Sequence, residues 1–210
     1  MIIRISAVTD NHVYEQPLNE KVRAFLRLEK LFQQYSFHLK HGSDWNNRVA
    51  IDSILELLTY TTRSDIKLEV LKELERQHAR LDRLSKRPQI DQSQLSSVLK
   101  NIQKRIGELQ SINGQIGQDT KNVELLTAIA QKNSVPGSIC DFDLPALKHW
   151  LTSPKDKRQK NIEKWFQPFC HLDRSVQLIL DVLRHSAEDT DEIAQNGFFQ
   201  KSLDTNQSIQ

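Results

Sequence analysis

The chain has 210 residues, 29 Lys and Arg against 27 Asp and Glu for a formal charge of +2, and only 6 Gly, 6 Pro and 2 Cys. That length can bury a core without disulfide staples, the scarce cysteine points to a reducing compartment such as the cytoplasm, and few Gly and Pro disfavour an all-β protein. A charge balance this close to neutral does not demand nucleic acid, so any basic function has to be local.

In chain order, "MIIRISAV" is a short apolar run broken by Arg4 and lacks the long apolar region and cleavage site of a signal peptide. His12 to Gln16 has strand character, which Pro17 ends or confines to a sheet edge. Asn19 is placed to cap a first helix with an apolar face of Leu18, Val22, Phe25, Leu26, Phe32 and Tyr35, widened by Leu28 and Leu31; Gly42 stops it. A second helix is expected from about Asp44 to Tyr60, buried through Val49, Ile51, Ile54, Leu57 and Leu58. From Ser64 to Lys86, Leu71, Leu74, His78 and Leu81 recur at steps of three and four on a long two-faced helix. Pro88 breaks the chain, Asp91 with Gln94 has the form of a capping box, and the next helix presents Leu99, Ile102, Ile106 and Leu109. These two helices should pack as an antiparallel hairpin.

"SINGQIGQDTKN" reads as a loop, followed by a shorter helix through Leu125, Leu126 and Ile129, and "NSVPGS" reads as a turn. Asp143 is expected to cap "LPALKHWL", and Ser153 with Pro154 and Asp156 to start another helix. The last long helix, about Leu172 to Ala187, carries Val176, Ile179, Leu180 and Leu183 and should be central. Its run "VQLILDVL" contains Asp181 and is far below membrane-spanning length, so no membrane partner is expected. "NGFFQKSL" is either a short strand or a docked aromatic segment, and "DTNQSIQ" is a polar tail.

Motifs for chemistry are weak. "GQIG" lacks the third glycine and the lysine pair of a phosphate loop. His38 and His41 stand near Asp44, but histidines suit a helix C-terminus and no third strong metal ligand is placed. Cys170 precedes His171, yet adjacent helical residues point apart, and buried thiols are the simpler reading for it and Cys140. Carboxylates alternate with Lys and Arg as solvated charges do. No catalytic residue, metal or cofactor emerges.

Three basic groupings remain. Arg80, Arg83, Lys86 and Arg87 complement a helix C-terminus, and Lys155, Lys157, Arg158 and Lys160 are read as an exposed helix start. Arg23, Arg27 and Lys30 lie beside the apolar face of the first helix, where the dipole gives no reason for three cations. By residue type and position alone they are an ordinary wetted face.

"YEQPLNEKVRAFLRLE", "LKELERQHARL", "VPGSICDFDLPALKHWL" and "NGFFQ" occur in an order and spacing that resembles the cell division protein ZapD family, from Tyr14 to about Gln200. The resemblance implies a cytoplasmic, non-enzymatic protein at the mid-cell division site. Such a protein binds the C-terminal tail of FtsZ, the tubulin-like division GTPase, through a basic surface and crosslinks its filaments into bundles. It also implies a homodimer with a helical domain and a smaller β domain. By motif the basic role falls on Arg27 in "FLRLE", with Arg23 on its stripe, on Arg63 in "TTRSD", and on Lys148 in "LPALKHW", where relatives can carry histidine. Glu124 stands where relatives carry arginine, leaving Lys121 one turn earlier as the substitute.

Relatives also continue past "NGFFQ" with strands that pair with the N-terminal one, which implies here an unpaired edge around His12 to Gln16 and a weakened grip on FtsZ. The expected fold is therefore mainly α. It is a helical bundle with a long antiparallel hairpin, plus a small, incomplete β element from the N- and C-terminal segments. Residues 1–17 supply its N-terminal strand, 18–190 the helical domain, and 191–210 the remainder of the β element and the tail. The alternative is a helical nucleic-acid-binding protein using the same basic patches, which predicts a steep salt dependence with DNA or RNA.

Overall fold

The computed structural model describes residues 2–6, 13–63, 65–85, 91–133, 140–186, 190–191 and 196–200. Helices dominate, and the strands form one small sheet. β1 (Ile2–Ser6) pairs antiparallel with β2 (Val13–Pro17), and the two-residue β3 (Thr190–Asp191) runs parallel to β1, giving the order β2-β1-β3. The expected strand is thus present: β1 is its partner along one edge over its whole length, and β2 stands at the outside of the three-stranded sheet. Three β-branched isoleucines in "IIRIS" supply that partner despite the interruption at Arg4. His12 lies outside the described residues.

α1 (Glu20–His41) begins where Asn19 Oδ1 accepts from the Val22 amide at 2.8 Å, and it ends at Gly42 with φ 63, a left-handed stop. α2 (Asp44–Arg63) folds back on α1. α3 (Ile66–Leu84) and α4 (Gln92–Gln110) make the expected antiparallel hairpin. Lys67 Nζ donates to Ile112 O at 2.6 Å at one end, and Gln92 Nε2 donates to Ser85 O at 2.9 Å at the other. Asp91 caps α4 by accepting from the Ser93 and Gln94 amides.

α9 (Cys170–Ser186) packs against α1, α3 and α4, so it is the central helix that its apolar spacing predicts. Leu172, Val176, Ile179 and Leu180 are fully buried there. A one-turn α5 (Gln118–Lys121) interrupts the expected loop, and α6 (Glu124–Lys132), α7 (Pro145–Leu151) and α8 (Lys155–Phe166) complete the bundle.

Several local expectations change: Val49 is only half-buried and Cys140 is exposed. The inner face of α3 is Ile66, Val70, Glu73, Leu74 and Gln77, while Leu71, His78 and Leu81 are only half-buried. Most of the polar atoms inside find partners: Arg76 clasps Glu73 through two hydrogen bonds and Gln77 Nε2 donates to Ile179 O at 3.2 Å, while Gln77 Oε1 has no partner among the described residues. Asp143 does not cap α7; its carboxylate accepts from Lys132 Nζ at 3.2 Å, and the cap residue is Leu144. Pro154, not Ser153, precedes α8, whose first turn is braced by Arg158 donating to Leu151 O and Ser153 O. The "NSVPGS" turn beyond Asn133, the break at Pro88 and the tail after Gln200 lie outside the described residues.

Candidate functional site

α2 ends in "LELLTYTTR", which places Leu55, Leu58, Thr59, Thr62 and Arg63 at steps of three and four on one side of the helix. Thr59 Oγ1 donates to Leu55 O at 2.9 Å and Thr62 Oγ1 to Leu58 O at 2.7 Å. With their hydroxyls spent on their own helix, these threonines leave a largely apolar wall.

The facing wall depends on Gly117. Its φ is 82, and a Cβ there would stand 2.7 Å from Phe169 Cζ and 2.9 Å from Leu58 Cδ2, so only glycine lets the loop sit this close. Thr120 Oγ1 donates to Trp165 O at 2.9 Å and the Lys121 amide to Gly117 O at 2.9 Å, which fixes α5 and presents Lys121 outward. Between α2 and α6 lies a groove of about 790 Å³, floored by Leu55, Leu58 and Leu126 and flanked by Arg63 and Lys121. Both cations are exposed, and neither side chain has a hydrogen-bond or ion-pair partner among the described residues.

Arg63 also borders a second groove, of about 360 Å³, with Leu31, Glu56, Thr59 and Tyr60 between α1 and α2. Arg27 precedes Leu31 by four residues, so it lies one turn along α1 on the same side. It is exposed and, like Lys30, has no partner among the described residues. Arg23 is different, because it is already bound to Glu20. The structure thus gathers Arg63 and Lys121 at one groove, sets Arg27 beside the next, and neutralises Arg23.

Lys148 is separated from them. It lies on α7 against the start of α2, in a pocket with Asp44 and Arg48, and is paired with Asp141. At 1.5 Å per residue, Arg48 and Arg63 are about 22 Å apart along α2. Glu124 is exposed in the first turn of α6 and does not line the groove that Lys121 flanks.

The remaining polar groups have local duties. Arg158 holds Asp44 at 3.0 Å, which gives one member of the "KDKR" grouping a structural role. Arg80 and Arg83 are exposed, and Lys86 and Arg87 lie outside the described residues. His38 Nδ1 is 2.6 Å from Asn46 Oδ1, and His41 Nδ1 is 2.8 Å from Phe37 O. His171 faces Glu108 at 3.2 Å, and burial pushes the Cys170 thiol up. Among the described residues no group of three or more His, Cys, Asp and Glu is arranged to hold a metal, and no helix is long and apolar enough to cross a membrane.

The cations were visible in sequence, but the groove was not. Its signal was the second, weaker stripe of α2, Leu55, Leu58, Thr59 and Thr62, ending in an arginine.

Comparison with known proteins agrees with the motifs. Residues 26–210 match the ZapD family, described as a cell division protein. Cell division protein ZapD of Methylococcus capsulatus is 37% identical over 198 residues, covering 94% of this chain and 78% of that one. The protein of that name from Ralstonia pickettii is 37% identical over 191 residues, 91% of this chain and 76% of its own. The one from Nitrosomonas eutropha is 34% identical over 189 residues, 90% and 75%. With most of its length matched by the family and by relatives of this identity, the chain belongs to the ZapD family of cell division proteins.

Proposed function

We propose that this chain is a non-enzymatic division factor that binds the C-terminal tail of FtsZ and crosslinks FtsZ filaments at the division ring. The observation that carries the reading is the pair Arg63 and Lys121, two cations without partners among the described residues, flanking an apolar groove. Such a site suits an extended peptide that offers a carboxylate to the cations and an apolar side chain to the floor. Arg27 extends the positive surface toward α1. The apolar floor favours a peptide over a nucleic-acid backbone, which would ask for a continuous basic track.

Crosslinking requires two sites per particle. A homodimer built on the helical unit, 18–190, supplies them by symmetry, with the small β unit set at its edge. The protein acts in the cytoplasm at mid-cell, where the filaments are. The test is co-sedimentation with FtsZ filaments at low and high salt, using the wild-type chain, Arg27→Glu, and FtsZ without its tail. Pelleting should fall with salt, with the reversal and with tail removal. Pelleting indifferent to all three would remove the basic-surface mechanism.

A further inference from the structure

The lysines that open α8 line neither of the grooves at Arg63. α8 starts against the corner where α1 turns into α2: the Lys155 stem lies against Gly42, and Arg158 holds Asp44 at 3.0 Å. His38 Nδ1, 2.6 Å from Asn46 Oδ1, ties the last turns of α1 to the first turn of α2. The turn at Cys140 and Asp141 reaches the same corner, since both line one pocket with Asp44 and Trp45. Four segments therefore meet at this end of the bundle.

Three large aromatic side chains stand in the open there. Phe37, near the end of α1, is 57% exposed, Trp45 in the first turn of α2 is 83% exposed, and Phe142, next to Asp141, is 82% exposed. The other large exposed apolar side chains among the described residues are Leu68 and Phe198. One exposed ring needs no explanation, but three gathered at one corner mark a contact surface. The Phe37 ring lies 5.1 Å from that of His38 and 4.3 Å from that of His41, so imidazoles flank it.

The charge beside these rings is one-sided. Asp44, Asp141 and Asp143 are each answered by a cation, Arg158, Lys148 and Lys132 respectively. Lys40, Lys155 and Lys157 are exposed and have no ion-pair partner among the described residues, which leaves Asp156 as the one open carboxylate of these segments. Crossing a membrane takes a long apolar helix, and no described helix is one. Lying on a membrane takes something else, aromatic rings for the interfacial layer and cations for lipid phosphates.

We propose that this corner, with Phe37, Trp45 and Phe142 as its rings and Lys40, Lys155 and Lys157 as its cations, docks on the surface of an anionic lipid bilayer. The rings enter the headgroup layer while the lysine stems lie along it and keep their ammonium groups at the phosphates. A second copy of the chain fits this face less well, because a two-fold contact centred on it brings the same open cations together.

The test is sedimentation of the full chain with vesicles of phosphatidylcholine alone and of phosphatidylcholine and phosphatidylglycerol in equal parts, with tryptophan emission followed in the same samples. Trp150 and Trp165 are buried, so a shift of emission to shorter wavelength reports Trp45, and its loss in Trp45→Phe confirms the source. The chain should pellet with the mixed vesicles, not with phosphatidylcholine alone, and should be released as salt rises. Lys155→Glu/Lys157→Glu should weaken binding about tenfold, while Lys100→Glu/Lys104→Glu, the same charge change on α4, should leave it within about twofold. Trp45→Ser/Phe142→Ser should weaken it about fivefold with an unchanged helical circular dichroism spectrum. Failure to pellet with the mixed vesicles, equal weakening by the two lysine pairs, or pelleting without the emission shift would each overturn the proposal. If vesicles are ignored and Trp45→Ser/Phe142→Ser turns a dimer into a monomer, the face belongs to a second copy and the proposal is wrong.

Discussion

Arg63 and Arg184 each lie in the last turn of a long helix, where the helix dipole favours a cation, yet their surroundings are opposite. Arg184 is locked between β2 and α1. Its Nε and Nη2 donate to Glu15 at 2.7 and 2.8 Å, and its Nη1 and Nη2 donate to Glu29 at 2.6 and 2.7 Å. All three side chains are less than a fifth exposed. The bonds to Glu29 and Glu15 hold the Arg184 guanidinium protonated well beyond its ordinary range. Arg63 is exposed above an apolar groove, with no acceptor among the described residues. The first arginine joins the small sheet to the helices; the second is left for something outside the chain. Basic residues therefore cannot be sorted by position on a helix, only by whether a carboxylate already answers them.

The contrast can be broken first at Arg184. Arg184→Met leaves two poorly solvated carboxylates facing each other and should cost about 3 kcal/mol in urea unfolding. A loss below about 0.5 kcal/mol, typical of surface pairs, would mean the seam does not hold the sheet.

Gly117 tests the other region. Gly117→Ala meets both a left-handed backbone and two core side chains, and should cost about 2 kcal/mol while displacing Lys121. Gly114→Ala, with φ 75 but open space, carries only the backbone strain, about 1 kcal/mol.

Asp173 sharpens the seam. Burial raises its carboxyl to about 6, assisted by the charge of Glu29 and opposed by the hydrogen bond from Gln177 and the charge of Arg174. A folded-state value above the unfolded one means the protonated form stabilises the fold. That stabilisation is complete below about pH 4 and is lost as pH rises through about 6. Asp173→Asn should therefore stabilise the protein at pH 7 by about 1 kcal/mol, less than the full linkage because the site is half-solvated, and the gain should vanish by about pH 4. A gain constant across that range would show that the carboxyl is not the cause.

The smallest stability effect belongs to the open cations. Arg63→Glu and Lys121→Glu should each leave the unfolding free energy within about 0.5 kcal/mol.

Much of this fold was legible because its signals are local. Asn19 and Gly42 bound α1, Asp91 starts α4, and the apolar spacing of α9 marks the central helix. The inner face of α3 was not, because Glu73 and Gln77 are buried only by virtue of Arg76, Lys21 and the Ile179 carbonyl, and the last two come from distant segments. The strand at Ile2–Ser6 has no such local signal, because Arg4 interrupts its short apolar run and its partner is set by pairing with Val13–Pro17.

At the candidate site the motifs point to Arg27, Arg63 and Lys148, with Lys121 as the substitute for Glu124; Arg63 and Lys121 line one groove, and Arg27 lies a turn from Leu31 of the next. They could not show that Arg23 is taken by Glu20 or that Lys148 sits at the far end of α2, since both depend on side-chain pairing and helix length in space.

The most direct test of the central claim is FtsZ co-sedimentation with the Arg63→Glu/Lys121→Glu double variant, alongside its thermal midpoint. Pelleting should fall about tenfold while the midpoint stays at the wild-type value. Undiminished pelleting by the folded double variant would contradict it.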